Sequence, residues 1–111
     1  MLYLFDENPI VLPFANDGWA FSYITEIELL SKKGITKSEY DLIREMLGSS
    51  YKISHSQTLS ELIITLKRNN NIKLPDAIIA ASAQLLQLPL ITADKVFASL
   101  TEIDCIILDF Q

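Results

Sequence analysis

Pro75-Asp76-Ala77-Ile78-Ile79-Ala80-Ala81-Ser82-Ala83-Gln84-Leu85-Leu86 runs directly into Gln87-Leu88-Pro89-Leu90-Ile91-Thr92-Ala93-Asp94, residues 75–94 of the chain. The first half predicts a helix. Its proline stands at the start, where a missing N–H costs nothing, and no breaker follows before about Leu86. The residues are apolar and small nearly all round, so this helix is expected to be buried. Leu88–Ile91 is apolar throughout, which predicts a central parallel strand covered on both faces. Asp94 then opens a short helix containing Val96, Phe97 and Leu100, and Ile103–Leu108 reads as a last apolar strand.

Upstream, the pattern alternates in the same way. Trp19–Ile24 is aromatic and β-branched and reads as a strand. Thr25 with Glu28 forms a capping-box signature, predicting a helix to about Lys33 that Gly34 ends. Thr36 with Glu39 predicts a second helix with Tyr40, Ile43, Met46 and Leu47 on one face, stopped by Gly48. Tyr51–Ile53 is a short strand. Thr58 with Glu61 predicts a third helix with Leu59, Leu62, Ile63 and Leu66 inward, followed by the polar loop Arg68–Asn71. At the front, Met1–Phe5 and Asp6-Glu7-Asn8-Pro9 read as a helix end entering a turn. Pro9 and Pro13 keep the next stretch irregular, and Asn16-Asp17-Gly18 is a turn. Alternating strands and helices with buried strands imply an α/β sheet with helices on both faces.

The totals are consistent with one such domain. The chain has 111 residues, half of them hydrophobic, with a net charge of −5. That length suits one core. The apolar runs are too short for a membrane span, and no basic region precedes Met1–Phe5 as a signal peptide would require. The single cysteine, Cys105, leaves no internal disulfide and reads as a buried core thiol, so a cytoplasmic location is expected. An acidic chain is a poor candidate for holding nucleic acid by charge alone, but not for a nuclease whose acids gather at a metal.

Glu28, Asp76 and Asp94 each fall in the first turn of a predicted helix, at the rim where α/β sheets bind ligands. Carboxylates meeting there repel one another unless a cation lies between them. Mg²⁺ or Mn²⁺ takes such oxygen ligands, lowers the pKa of a bound water and stabilises charge on a phosphate. Each acid also has a purely structural reading: Glu28 as the return arm of a capping box, Asp76 as a favourable charge at a helix start, Asp94 as an N-cap. The pattern alone reaches an α/β domain with an acidic site.

The motifs add a resemblance. Ser22-Tyr23-Ile24-Thr25-Glu26-Ile27-Glu28-Leu29-Leu30 resembles the second acidic motif of PIN domains. Lys73-Leu74-Pro75-Asp76-Ala77-Ile78-Ile79-Ala80-Ala81-Ser82-Ala83 resembles the third, and Leu88-Pro89-Leu90-Ile91-Thr92-Ala93-Asp94-Lys95-Val96-Phe97 the fourth. They occur in family order over roughly residues 18–110. The resemblance, closest to toxin ribonucleases of the VapC type, implies a single domain over 1–111 with a three-layer α/β/α fold around a central parallel sheet. It implies a Mg²⁺- or Mn²⁺-dependent endoribonuclease acting on RNA, with Glu28, Asp76 and Asp94 as metal ligands and Thr92 as a supporting hydroxyl. An antitoxin protein and a homodimer are the partners it implies. Glu26 is expected to be a solvated first-turn charge.

The chain departs from the family at its start. The family's first strand ends in an Asp, and Asp6 is a candidate for it. Pro9 leaves no room for the helix that should follow, so the favoured reading places Met1–Phe5 inside that helix, with the first strand and first acid absent. The alternative function is then a weak or inactive PIN-like remnant that binds an antitoxin or itself.

The remaining candidates carry less. His55 is the only histidine and, with Ser54 and Ser56, makes no triad; it reads as a loop residue. Trp19 and Phe21 read as core. Lys32-Lys33 and Lys67-Arg68 read as solvated helix ends, with contact to RNA phosphate open to either pair, while Lys73 and Lys95, each next to a motif acid, are better placed to meet it. Only Gly18, Gly34 and Gly48 are present, so there is no glycine-rich phosphate loop. A receiver module would need an acid pair after its first strand and a buried lysine after its last, and Lys95 is not so placed.

Overall fold

The computed structural model describes residues 12–13 and 19–108, with side chains from Ala20 onward. The readings of Met1–Phe5, Asp6, Pro9 and Asn16-Asp17-Gly18 fall outside the described residues, as does the Trp19 side chain. The strands are β1 (Leu12–Pro13), β2 (Trp19–Ser22), β3 (Tyr51–Ile53), β4 (Leu90–Thr92) and β5 (Cys105–Ile107). The helices are α1 (Tyr23–Leu30), α2 (Lys37–Gly48), α3 (Gln57–Asn69) and α4 (Leu74–Leu86), with a 3₁₀ helix at Lys95–Ser99. From β2 onward the order of strands and helices is the one the sequence predicts.

β2 runs parallel to β3, with Ala20 opposite Tyr51 and Ser22 opposite Ile53. β4 runs parallel to β5, with Leu90 opposite Cys105 and Thr92 opposite Ile107. β1 pairs antiparallel with β2 and lies alongside β4 without joining it, so the described strands form two ladders, β1-β2-β3 and β4-β5, rather than one continuous sheet. β1 spans only two residues, and its Pro13 has no N–H to donate across the gap.

Strand alternation explains the layers. Ala20 and Phe21 are successive residues of β2, so their side chains point to opposite faces. Ala20 packs with Ile53, Leu59, Leu66, the buried stretch Ala77–Ala81, Leu90 and Phe97. Phe21 packs with Leu29, Ile43 and Leu47 on the α1–α2 side. Helices therefore cover both faces, as predicted, and α4 is the most buried helix among the described residues, with every residue from Ala77 to Ala83 buried. Its alanines allow close approach, and the α3–α4 pair is the most extensive helix contact among the described residues.

Local signals explain most helix ends, with three corrections. The first is that α1 ends at Leu30, where the Ser31 N–H bonds back to the Ile27 carbonyl, and not at Lys33 before Gly34. α2 begins with the predicted capping box, Thr36 Oγ1 accepting from the Glu39 N–H at 3.1 Å and Glu39 Oε1 from the Thr36 N–H at 2.9 Å. α1 starts earlier than predicted. Ser22, not Thr25, is its N-cap and accepts from the Ile24 N–H, while Thr25 is buried. α3 is likewise capped by Ser56, not Thr58, through the Leu59 N–H at 3.1 Å. In α4, Pro75 sits in the first turn, and Gln87 closes the helix in the left-handed conformation at φ 55°. The last strand is shorter than expected, and Cys105 is only half-buried, at the margin of the core.

Candidate active site

The early start of α1 changes the reading of Glu28. With Tyr23 as the first helical residue, Glu28 lies in the second turn. It is therefore no capping-box arm, and that structural explanation for it is removed. Glu28 is exposed as a whole, yet its carboxyl is held above the usual glutamate range, by burial first and then by the Asp76 carboxylate. α1 packs against α4, which brings the two acids near one another although they are far apart in sequence.

Asp76 stands in the first turn of α4 and is half-buried. Its carboxyl is also raised, by burial first, then by Asp94, while Lys73 at the N-cap position draws it back down. Asp76 is thus the middle member of a chain of like charges, with Glu28 on one side and Asp94 on the other.

Asp94 follows β4. Its Oδ1 accepts from the Val96 N–H at 3.0 Å, which caps the 3₁₀ helix. Its own N–H donates to Thr92 Oγ1 at 2.9 Å. Thr92 is completely buried at the end of β4, so its hydroxyl is a fixed point from which the Asp94 backbone hangs. The N-cap reading of Asp94 is correct, but it occupies one carboxylate oxygen and leaves the other with further acceptor capacity.

The residues so assembled offer oxygen ligands and no thiolate or imidazole, the donor set of a hard divalent cation. The carboxyls of Glu28 and Asp76 are raised by burial first and by a neighbouring carboxylate second, and a bound cation would offset both. In chemistry the set fits Mg²⁺ or Mn²⁺. In geometry it is open: among the described residues no group of three His, Cys, Asp or Glu side chains is close enough to hold one ion together. Asp6 lies outside the described residues.

Other residues take the places their chemistry suggests. His55 is exposed, with Nε2 2.7 Å from Ser60 Oγ and its ring edge-on to Tyr23. Phe21 is core, as expected. Glu26 is a correction. It is not a solvated charge but is mostly buried, paired with Arg44 Nη1 at 2.6 Å and Lys52 Nζ at 2.9 Å. These pairs hold its carboxyl below the usual range, the Lys52 hydrogen bond contributing most. No local pattern announces them, because the partners lie on α2 and β3. A cleft of about 320 Å³ lies between the C-terminal end of α4 and residues 101–104. Gln84 on its wall is roughly 12 Å along the helix axis from Asp76 at 1.5 Å per residue, so the cleft is separate from the acids.

Comparison with known proteins places this arrangement. The PIN domain family profile matches residues 3–103. The chain is similar to a chain of a toxin–antitoxin complex from Klebsiella pneumoniae, with 36% identity and a TM-score of 0.65 over 76% of this chain and 70% of that one. It shares its fold with a chain of VapBC-5, a member of the VapBC family of toxin–antitoxin systems from Mycobacterium tuberculosis, at 22% identity and a TM-score of 0.60 over 80% and 81% of the two chains. No curated protein gives a significant match. The chain belongs to the PIN domain family. Among the described residues no helix is long and apolar enough to cross a membrane.

Proposed function

We propose that this chain is a Mg²⁺- or Mn²⁺-dependent endoribonuclease, the toxin of a toxin–antitoxin pair, working as a single cytoplasmic domain. The observation that carries the reading is the row of like charges Glu28–Asp76–Asp94, two of them with raised carboxyls, on a PIN fold. Uncompensated acids cost stability, and a protein that keeps them together has a use for them at a site. Glu28, Asp76 and Asp94 would hold the cation, which when bound supplies positive charge for a phosphate oxygen and lowers the pKa of water. Thr92 fixes the Asp94 backbone. Lys73, close enough to Asp76 to influence it, is suited to an RNA phosphate, and Lys95 lies beside Asp94 on the exposed side. An antitoxin that covers the acids is a proposed protein partner, by analogy with the toxin–antitoxin complex to which the chain is similar, and a second copy of the chain is proposed beside it on the family resemblance alone.

One observation favours a second reading. The acids are not gathered into a cage in the described residues, as a PIN-like remnant that binds an antitoxin but cuts poorly would show. Cleavage of a structured RNA with Mn²⁺ or with EDTA separates the two. Metal-dependent cutting supports the enzyme, and no cutting together with tight antitoxin binding supports the remnant.

A further inference from the structure

We infer that Glu26 is a positioning residue for the proposed site, setting the rotation of α1 so that Glu28 faces Asp76; the inference rests on the function proposed above. α1 has eight residues, of which only Thr25 and Leu29 are buried. At 3.6 residues per turn, the centre of that buried stripe has Glu26 roughly 80° to one side and Glu28 roughly 80° to the other. The Glu26 flank is tied to two different elements, by Arg44 Nη1 at 2.6 Å from α2 and Lys52 Nζ at 2.9 Å from β3. Arg44 is itself steadied by Tyr40 Oη, which accepts from Nε at 3.3 Å and Nη2 at 3.2 Å. The Glu28 flank meets α4, where Asp76 stands.

The apolar contacts of α1, the buried Thr25 and Leu29 with the partly buried Tyr23, Ile24 and Leu30, set which face turns inward, and the ion pairs on its flank trim the angle. A side chain reaches about 5–6 Å from the helix axis, so a turn of about 20° moves a carboxylate by roughly 2 Å. That distance separates a ligand from a bystander. Like charge between Glu28 and Asp76 pushes α1 toward such a turn, and the paired Glu26 on the opposite flank resists it. Each ion pair contributes little to global stability, because Arg44 and Lys52 are half-exposed. Their effect is angular.

The test uses Arg44→Gln/Lys52→Gln in the full chain and reads Mn²⁺ affinity by calorimetry. Removing two positive charges attracts a dication more strongly through space, so charge alone predicts tighter binding. Positioning predicts weaker binding, by about tenfold, the usual lower bound for loss of a supporting contact at a metal site. Thr36→Ala, which loosens α2 at its far end, should leave Mn²⁺ affinity unchanged. Unchanged or tighter Mn²⁺ binding in the double variant overturns the inference. Should the unaltered chain bind no Mn²⁺, the proposed metal site fails, and a metal-free readout decides the positioning claim. Glu28→Cys/Asp76→Cys in a Cys105→Ser background is oxidised, and disulfide formation should slow several-fold when Glu26→Gln is added. An equal rate rejects the positioning role.

Discussion

At the scale of single residues, Thr92 and Asp76 carry opposite costs. Thr92 Oγ1 is the buried acceptor for the Asp94 N–H. Thr92→Val keeps the shape and removes the acceptor, and it should lower stability by about 1–3 kcal/mol, the desolvation cost of an unpaired buried donor. Chemical denaturation measures it. Asp76 lies between like charges, so in EDTA the substitution Asp76→Asn should raise Tm, while a fall would show that Asp76 contributes more in local bonds than it costs in repulsion. Asp76 and Asp94 were legible because they stand at helix starts that the sequence predicts, whereas Glu28 lies in the second turn of α1 and was marked out by the motif resemblance and not by its place in the helix. The partnership of Glu26 with Arg44 and Lys52 was not legible, since it depends on how three elements pack.

At the scale of elements, capping gives the clearest expectations. Thr36→Ala removes one arm of the α2 capping box and should cost about 1 kcal/mol. Glu39 supplies the other arm, and its carboxyl is held below its ordinary value of 4.5 by its bonds to Thr36. A carboxylate with a lowered folded pKa stabilises the native state fully above the ordinary value, and the stabilisation is lost as pH falls through the folded value. The stability gap between the unaltered chain and Glu39→Gln should therefore be constant near neutrality and close on acidification, as denaturation at pH 7 and pH 3 would show. α4 sets the opposite constraint. Ala81 is completely buried, and Ala81→Leu should destabilise by about 1–3 kcal/mol through overpacking.

The elements also show where sequence reading stops. Thr36 was read correctly because no competing hydroxyl precedes it closely. At α1 and α3, Ser22 and Ser56 stand just ahead of the expected caps Thr25 and Thr58. Local pattern does not choose between two adjacent caps, but pairing does. β2 stops where the three-residue β3 stops, with Ser22 opposite Ile53, and the helix begins there. The order of strands and helices was legible because hydrophobic period is local. The division into two ladders was not, because register and strand pairing are set across the whole chain.

At the scale of the whole molecule, a PIN fold carries a row of acids on a chain of net charge −5, a combination suited to metal-assisted cleavage and not to holding nucleic acid by charge alone. The most direct test is cleavage of a structured RNA by the purified chain, in Mn²⁺ and in EDTA, beside Asp94→Asn. Cleavage that requires Mn²⁺ and is lost in Asp94→Asn is the result expected. RNA left intact by the unaltered chain in Mn²⁺, or cut equally well by Asp94→Asn, would contradict the claim that Glu28, Asp76 and Asp94 form a working site.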